Sequence, residues 1–107
     1  MIKKVEIAEI INRIVSGYDP ERIILFGSYA CGSENPDSDL DLFVIKESEL
    51  PRPQRNIFLR KLLTGSEIPL DLVVYTPREV EESKSNIYSF VYEVLKSGKI
   101  VYERKNP

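Results

Sequence analysis

Gly27-Ser28-Tyr29-Ala30-Cys31-Gly32-Ser33-Glu34-Asn35-Pro36-Asp37-Ser38-Asp39-Leu40-Asp41-Leu42-Phe43-Val44-Ile45 decides how this chain is read. A Gly-Ser turn follows one apolar run, and an Asp-x-Asp pair opens the next. Asp39 and Asp41 are two apart, so on a strand both side chains point to one face. Two bare carboxylates side by side repel, and one of them tends to take up a proton. A hard divalent ion resolves that conflict, because Mg²⁺ takes carboxylate oxygens together with substrate phosphate oxygens. Gly27 lets the main chain come close to a ligand, and the Gly27-Ser28 turn offers N–H groups to a phosphate. A phosphate-holding turn beside a cation-holding pair points to chemistry on a nucleoside triphosphate.

Outward from this stretch, the sequence reads as alternating helices and strands. Ile7, Ile10, Ile11 and Ile14 recur at helical spacing over 3–17, with Gly17 as the expected end. Arg22 to Phe26 is the first strand, 29–37 is a turn region, and Leu40 to Ile45 is the second strand. After Leu50-Pro51-Arg52-Pro53, a helix runs from Gln54 to Leu63 and ends at Gly65. Leu70 to Tyr75 is the third strand. Thr76-Pro77 opens another helix, with Pro at its first position and Glu79, Glu81 and Glu82 at the positive end of its dipole. Ile87, Val91, Val94 and Leu95 mark a last helix, stopped near Gly98. Ile100 to Tyr102 is a short edge strand. The expectation is one α/β (α+β) domain over residues 1–107, with helices packed on a small mixed sheet.

Asp71 enters through topology. The link between the second and third strands carries a helix, which implies a right-handed crossover between parallel strands. Asp71 then falls at the same end of the sheet as Asp39 and Asp41. Gly27 ends the first strand and Asp39 precedes the second, so these two meet only if strands one and two are antiparallel. A mixed sheet of order 1-2-3 gathers Gly27, Ser28, Asp39, Asp41 and Asp71 at one rim.

Composition sets limits. The 107 residues are 42 % hydrophobic, enough for a single core, and the net charge of −2 gives no bulk attraction to nucleic acid or anionic membranes. No apolar run approaches the ~20 residues needed to span a bilayer. One cysteine, Cys31, excludes an internal disulfide and fits a reducing cytoplasm. Histidine is absent, which removes His-based zinc sites, His-activated nucleophiles and His general bases. Acid–base work falls to Asp, Glu, Lys or Tyr.

Taken singly, these features have plain structural readings. Gly27-Ser28 is a turn, Asp39 a cap, and Asp41 or Asp71 a solvent-facing strand residue. Cys31 reads as a small packing residue. Lys3, Lys4, Arg52, Arg55, Arg60 and Lys61 read as solvated helix faces. Tyr88 and Tyr92, four apart, read as a helical packing stripe.

Jointly, Gly-Ser-x-Ala-x-Gly, then Ser38-Asp39-x-Asp41-Leu42, then a lone aspartate on the next strand, resemble the nucleotidyltransferase fold of the DNA polymerase β superfamily. The ending Ser89-Phe90-Val91-Tyr92-Glu93-Val94-Leu95, followed by Gly98-Lys99-Ile100-Val101-Tyr102, is similar to its minimal nucleotidyltransferase branch. The resemblance implies that Asp39, Asp41 and Asp71 bind two Mg²⁺ ions and that Gly27-Ser28 holds the triphosphate of ATP. It makes Asp71 the candidate general base. It also implies an antitoxin whose partner is a HEPN-domain toxin, with AMP transferred to a tyrosine of that partner. Many relatives carry Arg or Lys where this chain has Cys31, so one phosphate contact of the family is missing. Two other readings stay open: a non-catalytic antitoxin that covers its partner, and an enzyme acting on a small-molecule acceptor. No membrane and no nucleic-acid partner is expected.

Overall fold

The strands form where the sequence is apolar and β-branched. The computed structural model describes residues 1–105 of the chain. Its elements in chain order are α1 (Lys4–Tyr18), β1 (Arg22–Phe26), α2 (Ser28–Cys31), β2 (Leu40–Ile45), α3 (Arg52–Leu62), β3 (Leu70–Tyr75), α4 (Pro77–Ser83), α5 (Phe90–Ser97) and β4 (Lys99–Glu103). The four strands lie in the order β3-β2-β1-β4. β1 runs antiparallel to β2 and β4, while β2 and β3 are parallel. The expected 1-2-3 arrangement is therefore present, with β4 added as the outer edge beside β1.

Period-two alternation sorts the strand residues onto two faces. Ile23, Leu25, Leu40, Leu42, Val44, Leu72 and Val74 pack with Ile10, Ile14 and Tyr18 of α1 and Leu59 of α3. Ile24, Phe43 and Ile45 pack with Val80 of α4 and with Val91 and Val94 of α5. At roughly 25 cal/mol per Å² of apolar surface removed from water, these two clusters are the main term favouring the fold.

Helix ends show where local signals were outweighed by packing. Gly17 is not the end of α1, which continues through Tyr18 to a left-handed Asp19 at φ 47°. A Cβ on Gly17 would lie 3.1 Å from Leu62 Cδ2, so this glycine permits α1 and α3 to approach. α3 begins at Arg52, earlier than expected, because Pro51 occupies the N-cap and Pro53 the first turn, where a missing N–H costs nothing. Thr76 caps α4 as expected: its hydroxyl accepts from the Glu79 amide at 3.2 Å, and Glu79 Oε1 accepts from the Thr76 amide at 2.8 Å.

Three further expectations are corrected. The turn region after Gly27 contains a one-turn helix, α2, closed by a left-handed Gly32. Ile87 and Tyr88 lie outside α5, which starts at Phe90 after the Ser89 cap, so Tyr88 and Tyr92 form no helical stripe. Ser89 Oγ accepts from the Tyr92 amide, and Asn86 Oδ1 accepts from the Tyr88 amide, which holds 86–89 as a turn rather than a helix. Arg55 is not on a solvated face either; it is 6 % exposed. Its guanidinium donates to Glu79 Oε1 at 2.7 Å, Glu79 Oε2 at 3.2 Å, Val74 O at 3.2 Å and Leu50 O at 2.8 Å. Those bonds compensate the burial of its charge. Among the described residues, no helix is long and apolar enough to cross a membrane.

Candidate active site

Strand pairing brings the sequence-predicted residues to one rim. Asp41, one residue into β2, stands opposite Phe26 of β1 in the antiparallel ladder and opposite Asp71 in the parallel ladder. Gly27 directly follows Phe26, so the turn and both strand aspartates share one end of the sheet. Asp39 lies immediately before β2. Asp41 alternates with Leu40 and Leu42 of the α1–α3 face, so it projects to the opposite face with Phe43. Asp71 projects to that same face, with Val73 and Tyr75. Asp39 and Asp71 are exposed, and Asp41 is half-buried.

Gly27 is held at φ 73°, a left-handed backbone that suits glycine. A Cβ there would fall 1.9 Å from Asp41 Oδ2, closer than any real contact. The turn and the carboxylate thus press together, and only a residue without a side chain fits between them. Gly27 O accepts from the Ala30 and Cys31 amides. The Ser28 and Tyr29 amides come first in α2 and have no intrahelical carbonyl to reach, so they are the N–H groups this turn can offer an anion.

Electrostatics single out Asp41. Burial pushes its carboxyl above the usual aspartate range, and the neighbouring Asp71 and Asp39 push in the same direction. The bare rim therefore carries a carboxylate that is costly to ionise. Among the described residues, no group of three or more carboxylate or thiol side chains is gathered closely enough to bind an ion alone. A hard cation at this rim would have to take part of its shell from phosphate oxygens and water. Asp39, Asp41 and Asp71 are the donors available there, and a cation among them would relieve the repulsion on Asp41.

Beside the carboxylates lies an aromatic floor that the sequence reading missed. Phe90 meets Phe26 edge-on at 5.5 Å and lies 6.0 Å from Phe43 and 6.2 Å from Tyr75. Tyr75 stacks on Phe43 at 4.9 Å, and the Arg52 guanidinium sits 4.2 Å from the Tyr75 ring centre. The alternation of Asp41 with Phe43, and of Asp71 with Tyr75, could have signalled these rings. Phe90 comes from a distant segment and had no local signal. The Arg55–Glu79 pair braces the far end of this floor by tying α3 to α4. Cys31 is exposed, with Sγ 3.0 Å from Ser33 Oγ and 3.7 Å from Ser28 O.

Comparisons with known proteins agree with the fold. The family model described as polymerase beta, nucleotidyltransferase matches residues 9–107. A Methanocaldococcus jannaschii protein, provisionally named a protein adenylyltransferase, is 30 % identical over 100 residues, covering 90 % of this chain and 94 % of that protein. A second protein of that organism with the same provisional name is 34 % identical over 98 residues, covering 84 % of this chain and 63 % of the longer relative. A crystal structure from Sulfolobus solfataricus, provisionally identified as a nucleotidyltransferase, superposes with a TM-score of 0.63 at 21 % identity. It covers 90 % of this chain and 76 % of that one, and it shows the shared fold. A chain of a toxin–antitoxin complex solved with AMP-PNP also gives a TM-score of 0.63, at 25 % identity, covering 92 % of this chain and 73 % of that one.

Proposed function

The chain belongs to the polymerase β nucleotidyltransferase family, and on that premise we propose that it transfers AMP from ATP to a tyrosine hydroxyl of a HEPN-type toxin, acting as its antitoxin in the cytoplasm. The observation that carries this reading is the position of Asp41, opposite Asp71 in one ladder and packed against Gly27 beside the other. That juxtaposition supports reading the Gly27-Ser28 turn as the phosphate holder and the carboxylates beside it as the cation holders. The provisional names of the relatives and the AMP-PNP-bound toxin–antitoxin complex support the choice of ATP and of a protein acceptor.

In this mechanism the Ser28 and Tyr29 amides and the Ser28 hydroxyl donate to terminal phosphate oxygens and hold the triphosphate along the rim. Asp39, Asp41 and Asp71 would hold two Mg²⁺ ions, which neutralise phosphate charge and lower the pKa of the attacking hydroxyl. Asp71 is exposed, so a tyrosine arriving from outside can reach it. Its carboxylate accepts the tyrosine proton as the phenolic oxygen attacks the α-phosphorus. One oxygen–phosphorus bond forms, the bond to the β-phosphate bridge breaks, and pyrophosphate leaves. Docking of the partner supplies proximity, which is worth roughly 7–11 kcal/mol in well-oriented reactions.

The test is incubation of the chain with Mg²⁺, α-labelled ATP and a HEPN-type partner. The expected result is a partner heavier by one or more AMP groups, with matching pyrophosphate release, lost on Asp71→Asn. If an Asp39→Asn, Asp41→Asn double variant neutralises the partner equally well with no change in its mass, occlusion replaces the enzymatic reading. Transfer to a small hydroxylated acceptor with the partner left untouched would move the substrate class instead.

A further inference from the structure

Six tyrosines are present, and one stands apart. Tyr18 is buried, and Tyr29, Tyr75, Tyr92 and Tyr102 are half-buried, while Tyr88 is 91 % exposed. Tyr88 lies in the link between α4 and α5, beside Ile87, which is itself 61 % exposed. The link is not loose. The Tyr88 amide donates to Asn86 Oδ1 at 3.0 Å, the Ser89 amide to Asn86 O at 2.9 Å, and Ser89 Oγ to Ser83 O at 2.8 Å. Two apolar side chains are thus displayed to solvent on a fixed backbone, although burying them would be favourable.

Their location links them to the rim. Two residues after Tyr88, Phe90 opens α5 and packs on Phe26, the ladder partner of Asp41. Two residues span at most about 7 Å of chain, so Tyr88 stands at the lip of the aromatic floor. A ring 91 % exposed makes little contact with the rest of its own chain. It is presented outward, next to an open rim whose Asp71 is also exposed.

We infer that Tyr88 is itself an acceptor, modified with AMP by a second copy of this chain. The inference rests on the AMP-transfer reading above. A projecting tyrosine adjacent to an open site suits a reciprocal encounter of two copies, because a two-fold axis between the two features brings each tyrosine to the other copy's site. The Tyr88 phenolic oxygen forms a bond to the α-phosphorus of ATP held by the other copy. The bond from that phosphorus to the β-phosphate bridge breaks, pyrophosphate leaves, and the phenolic proton passes to the other copy's Asp71. Tyr88 supplies only the hydroxyl, so AMP transfer to other acceptors does not require it.

The test uses the full chain alone with Mg²⁺ and α-labelled ATP, read by intact mass and by fragment ions of the tryptic peptide 85–96. That peptide carries both Tyr88 and Tyr92, so fragmentation must assign the site. The expected result is a gain of one AMP less one water on Tyr88. It falls to background in Tyr88→Phe and in Asp71→Asn, and its rate per molecule rises with chain concentration. Mixing Asp71→Asn with Tyr88→Phe restores label on the former alone. Label on another residue, label persisting in Tyr88→Phe, or no label at all overturns the inference. A parallel incubation with the HEPN-type partner separates the two readings. A labelled partner beside an unlabelled Tyr88 removes only this inference, whereas an unlabelled partner beside an unlabelled Tyr88 removes the transfer reading as well.

Discussion

Gly27 and Asp41 are packed so closely that a single methyl group cannot stand between them: a Cβ on Gly27 would lie 1.9 Å from Asp41 Oδ2. Gly27→Ala must displace that carboxylate and also hold alanine at φ 73°. Backbone strain of this kind costs about 1–3 kcal/mol. The expected outcome is a lower melting temperature together with loss of ATP binding in the presence of Mg²⁺, followed by calorimetry. ATP affinity equal to wild type would show that the turn does not hold the phosphates.

Asp41→Asn and Asp71→Asn are expected to abolish transfer without unfolding the chain. The carboxyl of Asp41 is raised by burial and by its two acidic neighbours. A carboxyl whose folded pKa lies above its unfolded value destabilises the fold once ionised. That cost is full above the raised pKa and disappears below about 3.9, the ordinary aspartate value. Asp41→Asn should therefore raise the melting temperature at pH 7 and leave it unchanged near pH 3. Unfolding of either variant would make that aspartate a structural residue.

Glu79 has the opposite sign. The hydrogen bond from Arg55 holds its carboxyl below the usual range, against the effect of burial. Its contribution is fully present above about 4.3, the ordinary glutamate value, and is lost as pH falls through the depressed one. Glu79→Ala leaves Arg55 buried without its partner and removes the bond from the Thr76 amide to Glu79 Oε1, one half of the α4 capping box. Breaking such a pair costs about 3–5 kcal/mol, and urea denaturation at pH 7 should register a loss of that order. The penalty should shrink at acid pH. A loss below about 0.5 kcal/mol would place the pair among ordinary surface contacts.

Metal removal should separate binding from folding. The donor arc at Asp39, Asp41 and Asp71 is incomplete without phosphate oxygens, so Mg²⁺ should bind weakly alone and more tightly with ATP. Titration of ATP with Mg²⁺ and then with excess chelator should show the affinity collapse while the circular dichroism spectrum stays unchanged. Equal ATP affinity in both conditions would count against a cation at this rim.

The sequence by itself determined the first three strands, their order and the end of the sheet where Gly27, Asp39, Asp41 and Asp71 meet. β1, β2 and β3 run over the residues their apolar runs mark, because strand formation there depends on local, period-two burial. The mixed topology followed from the connections: the link from β1 to β2 holds only the single turn of α2 and allows an antiparallel pair, while the link from β2 to β3 carries the longer α3 and favours a parallel one. Those two rules bring Asp41 and Asp71 to one end of the sheet, and the register of the parallel pair sets them opposite each other. Tertiary structure decided what depends on partners distant in sequence. Gly17 reads as a helix end until Leu62 is seen against it, and Arg55 reads as a surface charge until Glu79 and two carbonyls surround its guanidinium. Phe90 joins the floor of the site through contacts with strands more than ten residues away in sequence, which no local pattern encodes. Periodicity records which way a residue faces; only the assembled core shows what it faces, and that decided which charges are buried and which tyrosine is free.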